Sequence, residues 1–317
     1  MRVLPIHPWE AIGPRPRNLA AGVWRLVDPK IALASLVPFV VGIALAFDPR
    51  STMDWPLAAG AFAAIFLVEV GKNAVNDLYD FASGADMNVL PEERSPFSGG
   101  KRVLVEHLLT ENDLVAIAWI AFGLAGLIGI EVATRSRPEL LVLGAIAALI
   151  SILYAMPPVK LASRGFGELA VMLVYGPGIV LGTVLLLRGS ITVESIVASI
   201  ALGFLIANVL LINEVPDERA DRVAGKRTLI VRAGRDRAPS LIAIMFSLAF
   251  ALPVAGAMYG FVPLRMCALL SGIPTAVVAT SLLRRTPFGP PVAAQAMTLV
   301  TYVIAGAAYA GAVFASY

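Results

Sequence analysis

The sequence predicts an all-α integral membrane protein, one bundle of nine transmembrane helices with two Asp-rich motifs after helices 2 and 6. Three observations predict it. Of the 317 residues, 58% are hydrophobic and only 15% are charged, and the mean hydropathy is +0.80. A soluble globular chain has about 45–50% apolar and about 25% charged residues. Nine stretches reach or approach the roughly 20 apolar residues that cross a bilayer. The charges that remain gather between particular spans instead of spreading evenly.

The spans read at roughly 29–47, 56–78, 113–133, 138–156, 167–187, 192–215, 240–262, 264–283 and 293–315. Pro177, Pro253 and Pro274 fall inside them, as membrane helices allow when neighbours re-satisfy the backbone. Small-residue runs such as Gly176-Pro177-Gly178 and Ala305-Gly306-Ala307-Ala308 let helices approach closely. Spans seven and eight are the least distinct, since only Pro263 and Arg265 mark the break between them.

Orientation follows from Lys and Arg, which collect in cytoplasmic segments. With the N-terminus inside, nineteen lie on the cytoplasmic side and five outside (Arg50, Arg135, Arg137, Arg188 and Arg265), with Lys72 inside span two. The N-terminus is therefore expected in the cytoplasm and the C-terminus outside, in a multi-pass protein of a bacterial cytoplasmic membrane. The first 27 residues carry Arg2, Arg15, Arg17 and Arg25 without an apolar core. They read as a cytoplasmic segment and not as a cleavable signal peptide. The chain reads as a single domain, 1–317, without linkers.

Composition excludes several functions. The one cysteine, Cys267, lies in an apolar run and cannot form an intramolecular disulfide. The two histidines, His7 and His107, stand far apart, which argues against a His-based zinc or haem site. No nucleic-acid partner is expected, and oligomeric state is not legible.

Two long loops, roughly 79–112 and 216–239, follow even-numbered spans, and each begins with acids. The first motif is Asn73-x2-Asn76-Asp77-x2-Asp80-x5-Asp86. At about 100° per residue, Asn73, Asn76, Asp77 and Asp80 fall within an arc of about 100°. Glu69 lies on that arc one turn deeper, flanked by Lys72, with which it could simply pair. The second motif is Asn213-x3-Asp217-x3-Asp221, followed by Gly225-Lys226-x-Thr228. Its three oxygen-bearing residues share an arc of about 80°. Pro216 lies within it and, lacking an N–H, is expected to kink or end span six.

Such clusters suit magnesium, which is usually held by one or two carboxylates together with substrate phosphates. Carboxylates packed this closely repel one another unless divalent ions neutralise them. Lys101, Arg102, Arg222, Lys226 and Arg227 stand beside the motifs and can meet phosphate oxygens. A single Asp at a membrane helix end is ordinarily an interfacial cap. Two complete clusters at equivalent places, each leading into a basic loop, point to a diphosphate held between them. A cation transporter is the non-enzyme alternative, but transporter sites usually lie near the midplane on broken helices.

The runs Asn76-Asp77-Leu78-Tyr79-Asp80 and Asn213-x3-Asp217-x3-Asp221-x3-Gly225-Lys226-Arg227-Thr228-Leu229 resemble the signature motifs of the UbiA superfamily of intramembrane prenyltransferases. The likeness covers nearly the whole chain. It implies that two Mg²⁺ ions on Asp77, Asp80, Asp217 and Asp221, with Asp86 as a further ligand, bind a polyprenyl diphosphate. Charge withdrawal from the leaving group then ionises the allylic C–O bond, and an electron-rich aromatic carbon attacks. Asn73, Asn76 and Asn213 would orient ligands or substrate, and Lys72, Lys101, Arg102 and Lys226 would contact it. The prenyl tail would lie in an apolar groove between helices.

The segment Tyr154-x2-Pro157-x2-Lys160-Leu161-x3-Gly165-x-Gly167-Glu168 resembles a family segment in which a Tyr and a basic residue face the substrate cavity. Lys160 could meet the diphosphate, and Tyr154 the acceptor or the allylic cation; both could equally be interfacial anchors. The loop Ser95-Pro96-Phe97-Ser98-Gly99-Gly100-Lys101-Arg102 could offer backbone N–H groups to phosphate. Gly84 and Asp86 in motif one, the Gly225-Lys226-Arg227-Thr228-Leu229 run and Gly165-x-Gly167-Glu168 look like the branch that prenylates 1,4-dihydroxy-2-naphthoate for menaquinone. Asp28-Pro29-Lys30-Ile31 and Pro216 depart from the family pattern. Transfer to another aromatic or lipid acceptor, or cyclisation of the prenyl chain, are the alternatives.

Overall fold

The computed structural model describes residues 18–317, and its secondary structure is helical. The first seventeen residues of the expected cytoplasmic segment, His7 among them, lie outside the described residues. Twelve α-helices follow in order: α1 (Leu19–Val27), α2 (Pro29–Ala46), α3 (Trp55–Ser83), α4 (Glu111–Arg135), α5 (Glu139–Ala155), α6 (Gly167–Leu173), α7 (Ile179–Arg188), α8 (Val193–Val223), α9 (Leu229–Ala233), α10 (Ala238–Met258), α11 (Ile273–Arg284) and α12 (Val292–Phe314).

Seven helices or joined helices among the described residues are long and apolar enough to cross a bilayer. α1 and α2 make an eighth if their 42° bend is one broken span. The remaining expected span is α5, at 17 residues a shorter apolar helix. Among the described residues, seven or eight helices are therefore of full spanning length, against the nine expected. α6 and α7 form one crossing through a π turn over Val174–Gly178, which takes up Pro177. The eighth expected span divides into a 3₁₀ stretch, Leu264–Gly272, and α11. Multiple apolar crossings make this an integral membrane protein.

Layering follows from burial. α8 is the central column, with 67% of its most apolar stretch buried, whereas α4 has 22%. α8 packs on α10, α6 and α12, and α3 runs along α4. The outer face of α4 turns Trp119, Ile120 and Leu127 outward, which suits lipid better than water. Inside, Tyr302 and Tyr309 are fully buried but satisfied, since the Tyr302 hydroxyl donates to the Ala34 carbonyl at 2.7 Å.

The motif helices run further than periodicity predicts. α3 continues to Ser83 and ends because Gly84 takes the left-handed conformation (φ 79°), a terminator that suits glycine. α8 passes through Pro216 and ends only at Val223, so Pro216 does not end the span. Motif two and motif one as far as Asp80 thus lie within the last turns of their helices, Asp86 follows in the turn after α3, and the connecting segments are shorter than the loops expected at 79–112 and 216–239.

Candidate active site

The two motifs meet. Lys226, just beyond α8, places its ammonium 2.5 Å from Asp80 Oδ1 on α3 and 3.4 Å from Asp221 Oδ1 on α8. Burial works against that ammonium, but the Asp80 and Asp221 carboxylates outweigh it and hold its pKa above the usual lysine range. Asn76 Nδ2 donates to Asp80 Oδ2 at 2.8 Å, fixing that carboxylate from the same helix.

The loop from Ser95 to Arg102 closes over both motifs. The Gly99 N–H donates to Asp217 Oδ2 at 3.1 Å, and the Arg102 N–H donates to Asp77 Oδ1 at 3.0 Å. Arg102 Nη1 also donates to the Asp86 carbonyl at 2.6 Å. Gly100 (φ 73°) is required here, because a Cβ would sit 2.1 Å from Asp86 Oδ1. These N–H groups meet carboxylates, where the sequence suggested phosphate.

Asp77, Asp80 and Asp217 each have a partner, yet the set is incomplete. Asp77 Oδ2, Asp86 Oδ2 and Asp217 Oδ1 are buried without hydrogen-bond partners. Burial first, and then the charges of Asp80 and Asp77, push the Asp86 carboxyl well above the ordinary carboxylate range. Unpaired buried carboxylate oxygens are costly, and a divalent cation with phosphate oxygens would satisfy them. Among the described residues, no three acidic, His or Cys groups form a ready-made metal cage. Magnesium does not need one, since one or two carboxylates and substrate phosphates suffice. The donor set therefore fits Mg²⁺ held jointly with a diphosphate.

The other expected residues take varied places. Asn73 is buried and its Nδ2 donates to the Leu26 carbonyl at 2.7 Å, tying α1 to α3. Asn213 Oδ1 accepts from Gln295 Nε2 at 3.1 Å, tying α8 to α12. Lys101 pairs with Asp28. Lys72 Nζ donates to the Tyr175 hydroxyl at 3.1 Å, so its hydrogen bond goes across the bundle and not along α3 to Glu69. Tyr154 lies within electrostatic reach of Glu214, Glu168, Lys226 and Asp80, at the inner edge of the motifs. Lys160 is half-buried with φ 47°, and among the described residues no hydrogen bond or ion pair ties its ammonium to either motif.

Three further participants, Arg219, Glu168 and Glu214, are not among the expected site residues. Arg219 on α8 forks onto Glu93 at 2.6 and 2.8 Å and also donates to the Asn88 carbonyl. It thereby straps the segment after α3 to α8 and holds the Glu93 carboxyl below the usual glutamate range. Glu168 and Glu214 are buried side by side next to the second motif, and Glu168 accepts the Leu229 N–H at 3.3 Å. Glu214, beside the motif residue Asn213, looks like ordinary motif variation, and Arg219 like one more loop cation.

Below the acids lies a cavity of about 500 Å³, walled by α2, α3, α4, α5 and the α6–α7 crossing. Its lining is mostly apolar, with Phe122, Ile130 and Leu143 among the larger residues. Six polar residues, Ser35, Glu69, Lys72, Ser151, Tyr175 and Thr183, interrupt that lining.

A helical membrane bundle with an acid-rich end and an apolar cavity beneath it defines an integral membrane enzyme. A model of the UbiA prenyltransferase family matches residues 35–300, and the chain belongs to that family, whose members are transferases of prenyl groups. Its relatives include the 1,4-dihydroxy-2-naphthoate octaprenyltransferase of Bacillus subtilis, 27% identical over 75% of this chain and 74% of that protein. The Mycobacterium tuberculosis protein of the same name is 30% identical over 72% of this chain and 76% of its own length. A UbiA homolog from Archaeoglobus fulgidus, solved bound to DMAPP and Mg²⁺, has the same fold. The TM-score is 0.64 at 17% identity, covering 93% of this chain and 98% of that one.

Proposed function

We infer that the protein transfers a polyprenyl group from a polyprenyl diphosphate to 1,4-dihydroxy-2-naphthoate, in one transmembrane domain whose N-terminus is cytoplasmic. The observation that carries this reading is the convergence of the two motifs through Lys226, with three carboxylate oxygens left unpaired around it. The acceptor is supported by the names of the relatives and by the motif-one spacing.

Asp77, Asp80, Asp86, Asp217 and Asp221 would hold two Mg²⁺ ions, whose charge assists departure of the diphosphate. Lys226 would turn from Asp80 and Asp221 to the phosphate oxygens once metal neutralises the acids. The Gly99–Arg102 loop would exclude water from above, and exclusion of water strengthens these charge interactions. The Tyr154 ring would face the allylic cation from the cavity side, where an aromatic face stabilises positive charge. The apolar walls would carry the isoprenyl units nearest the diphosphate and shield the cation from hydrolysis. The rest of a long chain would leave between helices into lipid.

The test is to incubate the purified protein in detergent or nanodiscs with a prenyl diphosphate, Mg²⁺ and a panel of aromatic acceptors, and to identify products by mass. A product carrying the prenyl group on the dihydroxynaphthalene ring is expected, the attacked ring carbon giving up its proton or its carboxyl group as CO₂, with turnover abolished by excess chelator. Product on another ring, or a cyclic terpene without acceptor, would replace the acceptor assignment. Full turnover under chelation would overturn the metal role.

A further inference from the structure

Lys226 reaches both motifs from a turn and not from a helix. α8 ends at Val223 and α9 begins at Leu229, and between them Gly225 takes φ 78°. Within the turn, the Lys226 N–H returns to the Asp221 carbonyl at 2.9 Å. A lysine stem is long and flexible. An ammonium that must stand between Asp80 and Asp221 therefore needs the backbone beneath it fixed.

The connection between α5 and α6 supplies that footing. The Arg227 N–H donates to the Ser163 carbonyl at 2.8 Å. Arg232 closes the joint, with its Nε donating to the Arg227 carbonyl at 3.0 Å and its Nη2 to the Arg164 carbonyl at 2.5 Å. Gly165 is left-handed (φ 74°), and a Cβ there would stand 2.9 Å from the Arg227 carbonyl oxygen, so only glycine lets the two segments approach this closely. Glu168, buried in the first turn of α6, accepts the Leu229 N–H at 3.3 Å. A carboxylate buried beside Glu214 is costly, and the bond it makes goes to the end of the Lys226 turn. Gly165-x-Gly167-Glu168 thus grips Gly225-Lys226-Arg227-Thr228-Leu229 directly.

We propose that the segment from Ser163 to Glu168 is a brace for the Lys226 turn, and that Glu168 is a positioning residue which acts on the diphosphate through Lys226. This rests on the reading above, in which Lys226 meets the phosphate oxygens, and adds the part of the protein that aims it. Glu168 itself touches neither substrate nor metal on this view. Its carboxyl oxygen matters as a hydrogen-bond acceptor, not as a charge.

The experiment measures KM and kcat for the prenyl diphosphate at saturating Mg²⁺ and acceptor, with the unfolding midpoint in detergent alongside. Glu168→Ala should raise KM about fivefold and leave kcat within about twofold. Glu168→Gln, whose amide oxygen still accepts the Leu229 N–H, should stay within about twofold of wild type in both. Gly165→Ala, which presses on the Arg227 carbonyl, should raise KM as Glu168→Ala does. In a Lys226→Met background, Glu168→Ala should add less than about twofold, because residues that act through one another are not additive. Full additivity in that double variant would overturn the brace, as would a Glu168→Gln as damaging as Glu168→Ala. A lowered midpoint without any change in KM would reduce Glu168 to a scaffold residue. If Glu168→Ala fails to accumulate in the membrane, Gly165→Ala with and without Lys226→Met decides. A wild type that transfers no prenyl group removes the functional reading and the brace together. A raised KM in Lys226→Met with none in Glu168→Ala or Gly165→Ala removes the brace alone.

Discussion

α8 carries a charged cluster at each end, separated by about 40 Å of helical rise, and the two are built differently. At its start, Glu194 receives Arg265 through two bonds of 2.9 and 2.8 Å and the Tyr309 hydroxyl at 2.9 Å, while Arg265 also reaches Ser316 at 2.5 Å. Both Glu194 oxygens are used. At the other end, Asp217 has one oxygen on the Gly99 N–H and the other on nothing, Asp77 repeats the pattern with the Arg102 N–H, and Asp86 likewise leaves Oδ2 unpaired. Buried polar groups are ordinarily satisfied, and those that are not call for a reason. A completed network fastens helices; an incomplete one of the same residue types waits for something the protein does not itself contain.

Isosteric substitutions test that contrast most sharply. Asp77→Asn and Asp217→Asn keep the size and one acceptor oxygen of each side chain, so the loop bonds persist. Each is expected to lower Mg²⁺-dependent turnover by at least about 10³-fold, with the unfolding midpoint in detergent unchanged or raised. Glu194→Gln should do the reverse, leaving turnover within about twofold and lowering the midpoint, since a bond to a charged group contributes about 1.5–3 kcal/mol. Comparable turnover loss at both ends of α8 would show that satisfaction of the acids does not separate site from scaffold.

Smaller effects follow at the two connections that bring the motifs together. Lys226→Met removes the cation between Asp80 and Asp221, and KM for the prenyl diphosphate should rise about tenfold. Arg219→Ala frees Glu93 and the Asn88 carbonyl from α8. The expected result is a severalfold rise in the same KM, with faster proteolysis between residues 84 and 110 as the loop loosens. Unchanged proteolysis would mean that Gly99 and Arg102 hold the loop without Arg219.

Residue pattern and structure agree where the signal is local. The acids of α3 and α8 share faces because helical spacing puts them there, and the apolar runs that mark spans are unmistakable against water-soluble composition. Local signals fail where packing decides. Pro216 reads as a kink or a terminator, and α8 continues through it to Val223, so it does not terminate the helix. Asn73 and Asn213 read as ligand groups, but each ties a pair of helices, through Leu26 and Gln295. Glu93 and Arg219 lie 126 residues apart, and no periodicity links them. The Lys72 hydrogen bond likewise depends on Tyr175, contributed by another crossing.

The contrast between finished and unfinished acids recurs within one loop, where pH can read it. Arg219 holds the Glu93 pKa below the ordinary glutamate value, so Glu93 favours folding above that value and loses its contribution as pH falls through the lowered pKa. Burial, Asp80 and Asp77 raise that of Asp86. A carboxyl with a raised folded pKa binds its proton more tightly when folded. Its contribution is therefore full at low pH and is lost as pH climbs from about 4 through the raised value. Without Mg²⁺, the unfolding midpoint should decline over that rising window, and Asp86→Asn should flatten the decline. Glu93→Gln should leave it in place and alter only the acid side. Mg²⁺ with a non-hydrolysable prenyl diphosphate analogue binds the ionised acids and should restore the midpoint most at high pH. A midpoint that falls with pH equally with and without Mg²⁺ would place the strain of Asp86 in the scaffold and not in an ion site.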